Sequence, residues 1–293
     1  MTNKTERADI RSLLDEQAVV VAPGAWDGLS ARLVQRAGFP AVCSSGYAIS
    51  ASLGLPDIEL YTASENLAAI RRIREGCDLP LVADIDTGYG NAVNVMRTVV
   101  TAEAAGASAL FMEDQLSPKR CPICVGEPVD VVPLLEAAGK IRAAAAAKDP
   151  RTVLIARTDT AGDEAIRRLE AYRAAGADLL MPVTKTFASI DEWHDASARL
   201  GGGLVATVTA GTWVEREFTP EILRELDVRI ALLPNQTVHA AAKAIDDALR
   251  RLQAGVHAAE VSADAMPHAD FIEMLGFQEM LDLQTQYLPA SVD

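Results

Sequence analysis

The chain has 293 residues, 49% of them hydrophobic and only 5% aromatic, which suits one large globular domain rich in Ala, Val and Leu. A net charge of −14 argues against nucleic acid or an anionic membrane surface as a partner. No apolar run is long enough to span a bilayer, the charged start MTNKTERADIRSLLDEQ lacks the apolar core of a signal peptide, and four cysteines make no disulfide scaffold, so a cytoplasmic protein with reduced thiols is expected.

From the N-terminus onward, short apolar runs alternate with segments of helical period. The first strand is predicted at VVVAP (19–23), followed by the helix GLSARLVQRAG (28–38) and the strand AVCSS (41–45). LPLVADI (79–85) leads into the helix NAVNVMRTVVTAEAAGA (91–107), and SALFMED (108–114) and TVLIART (152–158) follow. The helix DEAIRRLEAYRAAGA (163–177) separates these from DLLMPV (178–183) and GLVATV (203–208), and TPEILRELD (219–227) precedes RIALLPN (229–235). The strands are continuously apolar, as expected of strands buried on both faces, and the Gly that closes several helices reads as a helix C-terminus.

Eight such units predict an α/β fold, a (β/α)8 TIM barrel forming a single domain over 1–293, with the barrel at about 17–255. The alternative, a doubly wound open sheet, usually carries a phosphate-binding glycine fingerprint, and no G-x-G-x-x-G follows the first strand. After a last barrel helix, VHAAAKAIDDALRRLQAG (238–255), comes a C-terminal helical extension (258–293) containing one further apolar helix, ADFIEMLGFQEMLDLQTQYL. It has no core of its own to join, so an exchange between subunits of a homo-oligomer is expected, the alternative being a helix laid across the bottom of its own barrel.

Two acidic clusters, Asp84-Ile85-Asp86 and Glu113-Asp114, close predicted strands. Adjacent carboxylates repel unless a cation or shared protons offset their charge, and hard oxygen ligands suit Mg²⁺ or Mn²⁺. Active sites of the barrel lie at the C-terminal strand ends, where Ser45, Asp84, Asp86, Glu113, Arg157, Thr207 and Asn235 converge. Plainer roles compete. Asp84 and Asp86 could cap the helix that starts near Asn91, Glu113 and Asp114 could be surface acids, and Arg157 could bridge acids at the rim. Cys121-Pro122-Ile123-Cys124 could be a redox pair or half a zinc site. Cys43 and Cys77 read as small apolar residues, and His194, His239, His257 and His268 as surface or core residues. The segment AGTWVEREF, with Trp213, is a candidate cover for the pocket.

The strings SSGYAISASLGLPD, LVADIDTGYGNAVNVMRTV, FMEDQLSPKRC, LIARTD and GADLLMP, in that order, resemble the isocitrate lyase/phosphoenolpyruvate mutase superfamily and, within it, the 2-methylisocitrate lyase branch. The resemblance implies Mg²⁺ held by Asp86 most directly, with Asp84, Glu113 and Asp57 acting through bound water. It implies that Ser45, Gly46 and Tyr47 bind the carboxylate of an α-oxyacid and that Arg157 pairs with the substrate. Lys119, Arg120 and Cys121 would lie on a gating loop, with Cys121 as general acid/base and its basic neighbours favouring the thiolate. The implied reaction is retro-aldol cleavage of a small 2-hydroxy dicarboxylate to an α-keto acid and a second acid, by a homotetramer. Phosphonopyruvate chemistry, oxaloacetate hydrolysis and a non-catalytic acid-binding role are the alternatives.

The chain departs from that branch at one end of the site. Pro122 and Ile123 stand where the loop usually has Gly and His, Val183 where a strand ends in Glu, Thr207 in place of Asn, and Pro234-Asn235-Gln236 in place of Pro-Leu-Ser. The metal end is kept and the specificity end, which includes Thr207, Asn235 and Gln236, is rebuilt. A less polar pocket points to alkylmalate-like acids.

Overall fold

The structure is a computed structural model that describes residues 9–125 and 129–288. The chain divides into two compact units, Met1–Val238 and His239–Asp293. The first is a closed barrel of eight parallel strands in sequence order: β1 (Val20–Ala25), β2 (Val42–Ser44), β3 (Leu81–Asp84), β4 (Ala109–Glu113), β5 (Val153–Thr158), β6 (Leu179–Pro182), β7 (Leu204–Thr207) and β8 (Val228–Leu233). Pairing of β1 with β8, from Val20 opposite Ile230 to Pro23 opposite Leu233, closes it. Each predicted strand is present within a residue or two of its expected bounds.

The helices of the first half are α1 (Ile10–Glu16), α2 (Gly28–Arg36), α3 (Gly46–Ser52), α4 (Ala63–Gly76), α5 (Ala92–Ala105), α6 (Pro122–Val125) and α7 (Leu134–Ala147). Those of the second half are α8 (Gly162–Ala174), α9 (Ile190–Leu200), α10 (Trp213–Glu217), α11 (Pro220–Glu225) and α12 (Gln236–Gln253), then α13 (Ala258–Ser262), α14 (His268–Leu275) and α15 (Phe277–Tyr287). Local chemistry starts them. Asp27 with Ser30, Thr62 with Glu65 and Asn91 with Asn94 form reciprocal caps on α2, α4 and α5. Because Asn91 caps α5, Asp84 and Asp86 are left for other work.

The period of two along each strand separates two cores. Val20, Ala22, Cys43, Val82, Phe111, Ile155, Met181, Val205 and Ile230 fill the barrel interior, while Leu110, Met112, Leu154, Ala156 and Leu180 face the helices. The interior set includes Ile10 from α1, with Leu13 and Leu14 packed against it, and Arg11 Nη2 donates to Thr152 O (2.8 Å) and to Asp178 Oδ1 (2.9 Å), next to the starts of β5 and β6. Thus α1 plugs the N-terminal mouth, a role not foreseen for the charged N-terminal stretch. This helix, Ile10–Glu16, lies ahead of the first strand, which starts at Val20.

In the second unit, the single helix expected over 269–288 is two helices. Gly276 breaks it at φ +75°, a left-handed turn that glycine adopts without a Cβ penalty. Residues 289–293 of the expected extension lie outside the described residues. Ile245, Leu249, Leu252, Phe271, Phe277, Met280 and Leu281 are exposed apolar side chains of this unit. No helix of the described residues is long and apolar enough to cross a membrane.

Candidate active site

The strand pleat that points Val82, Phe111, Ile155 and Val205 inward does the same for Asp84, Glu113, Arg157 and Thr207, so strand periodicity itself gathers these groups at the C-terminal rim. Beyond β3 the chain turns sharply, with Asp86 at φ +48°, Gly88 at +84° and Tyr89 at +58°. That turn folds Asp86 back over Asp84, whose Oδ1 accepts the Asp86 N–H at 3.0 Å. Asp84 Oδ2 accepts the N–H of Gly46 at 3.2 Å, and Ser45 caps α3 by accepting the Ala48 N–H. A Cβ on Gly46 would lie 2.7 Å from Asp84 Oδ2 and 2.8 Å from the Tyr61 hydroxyl, so only glycine permits this approach. Asp86 Oδ2 accepts hydrogen bonds from the Tyr61 hydroxyl (2.7 Å) and from the Tyr89 hydroxyl, and Asn66 Nδ2 ties Asp84 O to Tyr89.

The balancing cation is Lys119. Its Nζ lies 2.8 Å from Asp86 Oδ1, 3.0 Å from Asp57 Oδ1 and 3.9 Å from Glu113 Oε1, all four side chains being buried. Burial works against every one of these charges, and the outcome differs by neighbour. Burial and the Asp86 charge push Asp84 up to about 7, whereas in Asp86 the Lys119 ammonium overcomes burial and holds the carboxyl below its usual range. Lys119 itself stays charged, burial being outweighed by Asp86, Glu113 and Asp57.

Arg157 bridges two acids, Glu113 through Nη1 (2.5 Å) and Asp159 through Nη2 (2.7 Å). Burial raises Glu113 despite that guanidinium. The next residue, Asp114, faces outward and accepts hydrogen bonds from Tyr172, Thr158, the Asp159 N–H and Arg168. The Glu113-Asp114 pair is therefore split, one acid in the site and the other in a structural network between β4 and α8.

The segment after β4 closes over the carboxylates. The Cys121 N–H donates to Asp57 O (3.1 Å), and Lys185 Nζ donates to Pro122 O (2.6 Å). Glu59, which sequence inspection missed, anchors it: its carboxylate accepts from Ser117 Oγ (2.7 Å), the Lys119 N–H (2.8 Å) and Thr87 Oγ1 (2.9 Å). Asp57 and Glu59 lie in a loop between α3 and α4, where no strand-end rule points. The Leu-Pro-Asp triplet was the sole signal for Asp57, and Glu59's positive φ of +58° left none in its pattern. Within this cover Cys121 is 9% exposed, whereas Arg120 is exposed and gives its backbone N–H to Gln115 Oε1. Tyr47 is half-buried, and burial with the nearby Cys124, Cys121 and Asp57 raises its hydroxyl pKa.

The opposite side of the rim is less polar. Thr207 Oγ1 is buried without a hydrogen-bond partner among the described residues, and Val183 is buried. Asn235 Oδ1 accepts the Ala210 N–H (2.9 Å), and Gln236 Nε2 donates to Val208 O (2.7 Å). Asn235 and Gln236 thus hold the loop after β7. Beside it lies a cleft of about 440 Å³ lined by Ile123, Thr184, Lys185, Phe187 and Trp213, among others. Trp213 packs edge-on against Phe218, which likewise meets Trp193.

Among the described residues no three His, Cys, Asp or Glu side chains are disposed to hold a metal ion. The space among Asp57, Asp86 and Glu113 belongs to the Lys119 ammonium. The donor set is nonetheless made of hard carboxylate oxygens, and Asp57 Oδ1, Asp86 Oδ1 and Glu113 Oε1 are buried with no hydrogen-bond donor but that ammonium beside them. Such a set fits a divalent cation.

Comparison with known proteins shows the family and the fold. A family model described as phosphoenolpyruvate phosphomutase matches residues 10–253. The 2,3-dimethylmalate lyase of Eubacterium barkeri is 36% identical, over 96% of this chain and 97% of that one. The crystal structure of phosphoenolpyruvate phosphomutase from Streptomyces platensis subsp. rosaceus superposes with a TM-score of 0.90 at 30% identity, covering 97% of this chain and 99% of that one. A phosphonopyruvate hydrolase solved in complex with oxalate and Mg²⁺ gives 0.85 at 34%, covering 99% and 100%.

Proposed function

The chain belongs to the phosphoenolpyruvate phosphomutase family, in the isocitrate lyase/phosphoenolpyruvate mutase superfamily of carbon–carbon lyases and mutases, and we propose that it is a Mg²⁺-dependent lyase that cleaves a 2-hydroxy dicarboxylate of the alkylmalate type. The observation that carries this is Cys121. A buried thiol is held by its own N–H on Asp57 O, in the segment that sets Lys119 among the carboxylates.

Asp86, with Asp84, Glu113 and Asp57, would hold Mg²⁺, or Mn²⁺ in its place. When bound, the ion would polarise the α-oxygen of the substrate and fix its geometry. The carboxylates and Lys119 are already balanced, so ion and ammonium compete for the same oxygens. Ser45, Gly46 and Tyr47, at the start of α3, would receive the α-carboxylate, and Arg157 would orient it by charge-assisted hydrogen bonding. The 2-hydroxyl would give its proton to a carboxylate of the site, and its oxygen would become the keto oxygen as the carbon–carbon bond breaks. The electron pair of that bond stays on the carbon next to the second carboxylate, to which the Cys121 thiol delivers a proton. The covering segment, anchored by Glu59, excludes water while this happens. Ile123, Phe187 and Trp213 offer an apolar wall beside Lys185, which supports an alkyl-bearing second acid and resembles what the name of the Eubacterium barkeri relative implies. Thr207, Asn235 and Gln236 shape that side.

The experiment is a panel of 2-alkyl- and 2,3-dialkylmalates with Mg²⁺, read by keto acid formation. Product from at least one member is expected, and none from any overturns the reading. The likeness to phosphonopyruvate hydrolase supports a second reading, phosphorus–carbon bond cleavage, which phosphonopyruvate and ³¹P NMR would reveal.

We further propose a cytoplasmic homotetramer. The exposed apolar face of α12 and the two helices that end the second unit, with Ile245, Leu249, Leu252, Phe277 and Leu281, suits burial against another copy. Light scattering would test the assembly.

A further inference from the structure

Of the four cysteines, Cys43 lies in the barrel interior and Cys77 at the buried end of α4, while Cys121 and Cys124 share one turn of the segment that covers the carboxylates. The Cys124 N–H donates to Cys121 O at 3.1 Å, closing that turn and placing the two cysteines three residues apart on it. Cys124 is exposed, and Cys121 is buried. We propose that Cys121 and Cys124 form a reversible disulfide, making this turn an oxidant-responsive modification site on the cover of the active site.

The chemistry needs a hydroperoxide and a dithiol reductant, and it balances in two steps. Cys121 sulfur attacks the peroxide oxygen, giving the sulfenic acid and releasing an alcohol or water. The Cys124 sulfur then attacks the Cys121 sulfur, the sulfur–sulfur bond forms, hydroxide leaves, and the Cys124 proton completes water. A dithiol returns two electrons and two protons. Cys124, the exposed member of the pair, is the sulfur that a dithiol reductant reaches first. The turn is pinned from both sides, by Asp57 O on the Cys121 N–H and by Lys185 Nζ on Pro122 O, so the two thiols are held as neighbours. Resting on the lyase reading above, the consequence is loss of turnover, since a disulfide sulfur has no proton to deliver.

Titrating the full-length enzyme with a hydroperoxide, followed by intact mass and peptide mapping, tests this without reference to activity. The wild type is expected to lose the mass of two hydrogen atoms per chain, with the bond mapped to residues 121–124, and to regain it with dithiothreitol. Cys124→Ser alters an exposed residue outside the catalytic set and should not make this bond. It should instead accumulate an irreversible gain of two oxygen atoms on Cys121. Wild type that gains oxygen as the variant does, or a disulfide involving Cys43 or Cys77, overturns the proposal. Turnover assayed in parallel should fall with disulfide formation and recover on reduction. Absence of turnover before oxidation would count against the lyase reading alone.

Discussion

Replacing Lys119 by Met removes a buried cation while keeping most of its volume. In the wild type this ammonium lies 2.8 Å from Asp86 Oδ1 and 3.0 Å from Asp57 Oδ1, with all partners shielded from water. Removing one member of a buried ion pair leaves the others uncompensated and costs about 3–5 kcal/mol. With an m-value near the upper end for urea, about 3 kcal/mol per molar, the unfolding midpoint without added metal should fall by about 1–1.7 M. The three tryptophans all precede residue 239, so their fluorescence reports the barrel unit. The sign of the pH dependence follows from Asp86. Its carboxyl is held below the ordinary range by Lys119, so its contribution is present above the unfolded value and is lost as pH falls through the folded one. Without Lys119 the depression disappears, so the gap between variant and wild type should widen from acid to neutral pH. Mg²⁺ at a hundred times its Kd should return about 2.7 kcal/mol to the variant, and less to the wild type, where Lys119 competes. A variant as stable as the wild type in metal-free buffer at neutral pH would refute the assignment of Lys119 as the counter-charge.

Other consequences follow from single contacts. Gly46→Ala pushes a methyl to within 2.7 Å of Asp84 Oδ2, and overpacking should cost about 1–3 kcal/mol and reduce Mg²⁺ affinity by calorimetry; a neutral result would mean that α3 is free to move away. Glu59→Gln exchanges one acceptor oxygen for a donor amide among three hydrogen-bond donors. A loss of about 1–3 kcal/mol, and faster proteolysis within residues 115–125, should follow, and unchanged digestion would remove Glu59 as the anchor. At the other mouth, Asp178 is held below its usual range because the Leu154 N–H, Arg11 and Lys148 outweigh burial. Its stabilisation is present above an unfolded pKa of about 3.9 and is lost as pH falls through the folded value. Arg11→Ala should therefore cost about 1 kcal/mol at pH 7 and progressively less below about pH 4, in paired urea titrations. A pH-independent cost would assign Arg11 a packing role only.

The barrel was legible because its strands are buried on both faces, so that eight continuous apolar runs stand out between helices closed by glycine. Strand alternation also made the rim legible: Asp84, Glu113, Arg157 and Thr207 follow inward-facing residues at fixed parity. The same parity, counted one residue further, separates Asp114 from Glu113, a distinction lost when the two are taken as one acidic cluster. What escaped notice depends on long-range closure or on unusual backbone. In α1, Ile10, Leu13 and Leu14 make an apolar stripe too short to stand out among its charges, and it acquires meaning only where the barrel mouth needs a plug. Glu59 and Tyr89 reach the site through left-handed backbone, and Tyr61 and Asn66 through the start of α4, none of which strand patterning marks. Gly276 divides an apolar stretch whose periodicity continues across it.

The central claim is that Cys121 moves the proton in carbon–carbon cleavage, and keto acid release from a 2,3-dialkylmalate with Mg²⁺, compared between the wild type and Cys121→Ser, tests it directly. Loss of a positioned proton donor should lower kcat by about 10²–10⁴-fold, with the urea midpoint unchanged. Equal turnover by the two proteins would contradict the account.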